Sequence, residues 1–208
     1  MKIEEIKFIS DVIRPWKNLN FELSKPYAIN PEMSDFMSNA ISLAISIKHF
    51  LENSAGLKIK DLISESSSFE VISDLADSGK HGKLYKKERE CSLSIYSMFE
   101  RNENAELRFL RNIIRINHPK FGKVDFMKCA LESSKFVAEK LLISTTDWDL
   151  KIIINSGKFS NEINLVASNK NQIMWKGLGI EIVKLNENGE YENVDLNGTV
   201  KIKIVPDF

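Results

Sequence analysis

Apolar side chains recur at Ile3, Ile6, Ile9 and Val12/Ile13, a three-to-four spacing that lines one face of a helix. Pro15 is expected to stop that helix just before Trp16, because proline has no N–H to donate and its ring crowds the preceding turn. Residues 18–28 carry no such stripe and read as irregular chain or a short strand. Asn30-Pro31-Glu32 opens a second helix: asparagine caps, proline takes the first position, and an acid meets the positive helix end. Its stripe runs through Met33, Phe36/Met37, Ala40, Leu43/Ala44 and Ile47 to Phe50/Leu51, with Gly56 as a stop. Ile59, Leu62 and Ile63 predict a short helix. Ser67-Ser68-Phe69-Glu70 reads as a capping box for the next one, with hydroxyl and carboxylate each taking an exposed amide. That helix turns Phe69, Ile72, Leu75 and Ala76 inward and exits at His81-Gly82, where a cation suits the negative end and glycine the reversal.

The period then changes to alternation. Cys91, Leu93, Ile95, Ser97 and Phe99 fall on one side of a strand, Ser92, Ser94 and Tyr96 on the other. A turn over 101–105 returns a longer strand over 106–117, ended by His118-Pro119. Asp125 is placed to cap a helix with the stripe Phe126/Met127, Ala130/Leu131, Val137/Ala138 and Leu141/Leu142. Beyond Trp148 strands are expected over 150–155, 163–167, 173–185, 191–194 and 199–205, with Asn188-Gly189 and Asn197-Gly198 as hairpin turns. Gly177-Leu178-Gly179 reads as a bulge or bend in the longest of them. The order predicts an α+β fold: a helical N-terminal half, a β-hairpin plus helix, and a C-terminal antiparallel β meander. Residues 1–146 are expected to form a helical domain with the hairpin inserted, and 147–208 an antiparallel β subdomain or an extension of the hairpin's sheet.

Over 208 residues the apolar share of 43% and charged share of 28% fit a soluble globular chain and exclude global disorder. The opening M-K-I-E-E-I-K has acids and no long apolar run, so no secretory signal is expected. The most apolar run, Ala40–Ile47, is broken by two serines and falls far short of the ~20 residues a bilayer span needs. Cys91 and Cys129 sit among apolar neighbours and read as free, buried thiols. A cytoplasmic protein without a membrane partner is the expectation. Net charge is zero, yet residues 80–123 hold 11 Lys/Arg against 5 Asp/Glu, a net of +6 that leaves −6 elsewhere. Such a split can steer an anionic partner, pair acidic and basic surfaces in a homo-oligomer, or form a solvated face.

Polar chemistry concentrates at the end of the 67–81 helix. Asp74, Asp77 and His81 are spaced three and four apart, so one face can hold all three. Asp77 could then orient the His81 ring and leave its other nitrogen as a base. Asp74 with His81 supplies only two metal ligands, too few for a site, and no cofactor motif is present. The plainer assignment is a helix pair, with Lys80 and His81 complementing the dipole.

The words D-L-A-D-S-G-K-H resemble a helix ending, Asp-x-Ala-Asn-x-x-Lys-His, of uncharacterised small helical bacterial proteins that follow it with a hairpin and a helix. The arrangement covers roughly 30–143. Asp77 stands where asparagine is usual, and the resemblance implies no activity. Arg111-Asn112 with His118 resembles the Arg-Asn…His signature of HEPN-type ribonucleases, in which arginine holds a phosphate and histidine assists attack by the RNA 2′-hydroxyl without metal. That signature lies on a helix, whereas 106–118 reads as strand. On a strand the two residues fall on opposite faces, more than ~20 Å apart at ~3.3 Å per residue.

Arg108, Arg111 and Arg115, with Phe109, Tyr96 and Phe99 nearby, could instead form a sheet face that tracks phosphates and stacks bases. Ser156-Gly157-Lys158 and Ser78-Gly79-Lys80 lack the glycine spacing of a phosphate loop. No nucleophile elbow or dinucleotide fingerprint occurs, and His49 reads as a boundary residue of the long helix. The sequence favours an accessory or binding protein of a bacterial system. Lys80, His81, Arg108, Arg111 and Arg115 would engage a nucleic acid or an acidic protein. The alternatives are a HEPN-like ribonuclease using Asp77, His81, Arg111 or His118, and a structural subunit of a larger assembly.

Overall fold

A computed structural model describes residues 3–26, 32–53, 59–82, 84–146, 148–167, 178–194 and 201–206. The expectations for Asn30-Pro31, Gly56, Gly177 and Asn197-Gly198 fall outside them. The class is α+β. Helices α1 (Ile3–Phe8), α2 (Arg14–Leu23), α3 (Glu32–Glu52), α4 (Ile59–Ile63) and α5 (Ser67–His81) come first. Strands β1 (Ser92–Arg101), β2 (Leu107–His118) and β3 (Gly122–Asp125) and helix α6 (Phe126–Lys140) follow. Strands β4 (Glu162–Ala167), β5 (Leu178–Leu185), β6 (Tyr191–Asn193) and β7 (Lys201–Pro206) complete the described chain. One sheet has the order β3-β2-β1-β5-β6 and a second pairs β4 with β7. Contacts group the chain into two compact units: Met1–Asn20, Met37–Leu93 and Ile114–Ile152 in one, Phe21–Phe36, Ser94–Ile113 and Ile153–Phe208 in the other.

In the first unit the opening helix does not stop at Pro15. A π-helical turn over Ile9–Ile13 joins α1 to α2, with the Arg14 N–H reaching back to the Ile9 carbonyl. The π-turn ends just before Pro15, and the helix continues through the proline as α2. Residues 18–23 are therefore helical rather than irregular. The extension buries Trp16 and Leu19 beside Phe8 and Val12. Phe8 stacks on Trp148 and meets Phe50 edge-on, and the Trp16 indole donates to the Met127 carbonyl at 3.1 Å.

Helix α5 starts as expected in place but not in detail. Its cap is Ser66, whose hydroxyl accepts from Phe69 N at 3.2 Å. Glu70, freed from a capping box, binds the Lys120 ammonium instead. Gly82 ends the helix at φ +71°, a conformation glycine adopts without a Cβ penalty. Asp125 caps α6 as expected, accepting from Lys128 N at 3.0 Å. Helices α5 and α6 pack together, with Phe69 against Phe136. Short β3, which the sequence pattern did not mark, pairs antiparallel with β2 from Arg115↔Asp125 to His118↔Gly122.

The second unit departs from the expected meander. Among the described residues beyond 147, β5 and β6 form an antiparallel pair across the Asn188-Gly189 turn, where the Asn186 side chain accepts the N–H groups of Asn188 and Glu190. Strand β5 pairs with β1 in parallel, Ile95↔Leu178 through Glu100↔Val183, and β4 pairs in parallel with β7. Alternation fixes which face a side chain takes but not which strand lies beside it. No strand forms over 150–155; Asn155 N–H meets the Leu110 carbonyl and Leu107 bridges Ser160, isolated bonds without a ladder. Met98, Leu110, Ile113 and Val183 make a core against which Tyr191 packs. The buried Ser97 hydroxyl and Asn112 amide bond at 2.7 Å, and Asn112 also donates to the Lys25 carbonyl.

Gly179 is not a bulge but a regular partner of Tyr96 in the β1–β5 register. A Cβ placed on it would lie 2.1 Å from Tyr96 Cδ1. Gly179→Ala is expected to destabilise the protein by about 1–3 kcal/mol in urea unfolding, and adding Tyr96→Ala should recover part of that loss. An alanine with no measurable cost would show that the aromatic ring does not need this space.

Candidate functional site

The polar cluster at the end of α5 belongs to a buried ion network. Phe69, Val71, Ile72, Ser73, Asp74, Leu75, Ala76 and Ser78 are all buried, so α5 is enclosed on most faces. Asp74, 1% exposed, must therefore find its partners inside. Its Oδ1 accepts from Arg89 Nε at 2.6 Å and Nη2 at 2.5 Å, and its Oδ2 lies 3.2 Å from His118 Nε2. His118 Nδ1 accepts the Lys120 N–H at 3.0 Å. The ring is thus neutral-tautomer compatible, with the proton on Nε2 pointing at Asp74.

Asp77 Oδ2 takes Arg89 Nη2 at 2.8 Å, and its Oδ1 takes the Lys48 ammonium. Burial pushes the Asp77 carboxyl upward, but Lys48 and Arg89 outweigh it and hold the group below the ordinary carboxylate value. Burial likewise opposes the Arg89 charge, while Asp74 and Asp77 reinforce it and leave the guanidinium more basic than usual. Ser78 Oγ accepts the Cys91 N–H at 2.9 Å. Arg89 and Ser78 together fasten the segment after α5 back onto that helix.

These contacts place the sequence candidates in three groups. Asp77 and His118 sit in the network; both His118 nitrogens are engaged, and its ring is buried. Lys80 and His81 are exposed at the helix end, and the carboxylate expected to orient His81, Asp77, is held by Lys48 and Arg89. The hairpin arginines are drawn inward or paired. Arg108 bonds Glu100 at 2.6 Å and lies over the Phe159 ring. Arg111 is 3% exposed, with Nε donating to the Asn112 carbonyl and Nη1 to that of Ile153. Arg115 is 3.9 Å from Asp125. Arg111 and His118 lie on strand β2, not on the helix that the ribonuclease signature occupies.

Sequence reasoning missed Arg89, Lys48 and Ser78. One signal was present: Val71, Asp74 and Ser78 form a second stripe on α5, at the three-and-four spacing of a buried face. Both thiols are free. Burial, then the Asp74 charge, pushes Cys91 up to about 12; burial, Glu132 and Asp125 push Cys129 up to about 11. Neither is a thiolate nucleophile at neutral pH. No group of three metal-ligating side chains occurs among the described residues, and no helix among them is long and apolar enough to cross a membrane.

What the network presents outward is the segment it fastens. Tyr85 is fully exposed, and Lys86 and Lys87 beside it are exposed, as are Lys80 and His81. Comparison with protein-family models, curated proteins and solved structures returns no match to the chain.

Proposed function

We propose that this chain is an accessory or binding protein that engages an anionic partner, single-stranded nucleic acid in the first instance, through the segment 80–87. The observation that carries the reading is Tyr85, a fully exposed aromatic ring set between exposed lysines. An aromatic face stacks on any base while neighbouring cations meet phosphates. The hairpin arginines contribute less to this surface, because Arg108 and Arg115 have carboxylate neighbours and Arg111 is buried. The buried network serves as the rigid mount.

The test is fluorescence anisotropy with labelled single-stranded RNA and DNA over a salt series. Reversing Lys80, Lys86 and Lys87 to glutamate should flatten the log–log salt slope by about 2, as expected for three phosphate contacts on a single strand. Tyr85→Ala should weaken binding by about tenfold and leave the slope unchanged. Absence of binding at low salt, or binding indifferent to all four positions, would overturn the nucleic-acid reading. An acidic protein surface or a subunit role in a larger assembly would then be sought by partner capture and mass measurement.

A further inference from the structure

The π-helical turn lies along a concave site that the proposed function does not use. A cavity of about 410 Å³ is lined by α1 and the turn on one side and by α3 on the other. Its volume is in the range of small-molecule pockets. Ile45, Phe50 and Leu141 supply apolar wall, and all three are only half-buried. Apolar surface left open within a concavity favours a ligand with an apolar body.

The polar lining is rich in acceptors. Glu4 and Asp11 contribute two carboxylates, against the single ammonium of Lys7. His49 is paired through Nδ1 with Glu52 Oε2 at 2.6 Å. Asp11 lies within the π-turn, and that turn brings it to the cavity wall. Turns of this type recur where helices are adapted to binding.

We infer that this cavity is a binding site for a small organic amine, with the ammonium between Glu4 and Asp11 and the apolar portion against Ile45, Phe50 and Leu141. The charge balance selects the ligand class: a carboxylate of the same shape would face two like charges and one ammonium.

Ligand-observed NMR and thermal-shift measurements on the full chain, with phenethylamine, the anionic 3-phenylpropionate and the isosteric, neutral 2-phenylethanol as probes, test this. Phenethylamine should bind in preference to the other two. Asp11→Asn, an exposed change that leaves packing intact, should weaken it by about tenfold, and Ser46→Trp should abolish binding by filling the cavity. If Ser46→Trp fails to fold, Asp11→Asn and Asp11→Lys carry the test alone. Equal binding of amine and carboxylate, no binding of the amine, or binding unaffected by Asp11→Lys would overturn the inference. None of these outcomes depends on whether the 80–87 segment binds nucleic acid.

Discussion

Replacing Arg89 with leucine is expected to lower the unfolding free energy by about 3–5 kcal/mol, the cost of stranding a buried partner charge. The stranded group is Asp74, whose Oδ1 takes both Nε and Nη2 of Arg89 and which is 1% exposed. His118 remains as its neighbour, but it offers Asp74 a single contact, at 3.2 Å, in place of the two that Arg89 makes. Asp77 fares better, because Lys48 stays in place. Adding Asp74→Leu to Arg89→Leu should recover most of the loss, since removing both members of a buried pair is far cheaper than removing one. Urea unfolding of the two single variants and the double variant measures the coupling. Strictly additive losses would mean that Arg89 acts through its packing and not through Asp74.

Trp16→Ala should cost a comparable amount, about 3–5 kcal/mol. The indole is 1% exposed and its N–H bonds the Met127 carbonyl, so truncation opens a cavity and removes that hydrogen bond. Thermal and urea unfolding of the variant give the figure directly. A loss under about 1 kcal/mol would indicate that the site collapses around the deletion.

The same tryptophan shows why the sequence was read correctly in some places and not in others. Helical stripes, the Asp125 cap, the Gly82 exit and the β1–β2 strands were legible because each rests on residues within a few positions of one another. The helix through Pro15 was not, because the π-turn that precedes it is a backbone adjustment with no side-chain signature. Parallel pairing of β5 with β1 was also hidden, since Ile95 and Leu178 are far apart in sequence and alternation is blind to neighbours.

In the candidate site the pattern located the cluster but not its wiring. Asp74 and Asp77 were visible as carboxylates on α5. That one of them is sealed from solvent, and that Arg89 returns from the following segment to bind it, is set by packing around the whole helix. His81, the more conspicuous histidine in sequence, is exposed, while His118 is the one that the network holds.

The β1–β5 register carries a consequence for how the chain is made. Strand β1 lies between β2 and β5 in the sheet, yet β5 is synthesised long after the hairpin. Emerging from a ribosome, the hairpin must wait with one edge of β1 bare, offering unpaired amides and carbonyls to any other extended chain. Such long-range closure is slow relative to local pairing. Docking of β5 onto β1 is the step that ends this exposure.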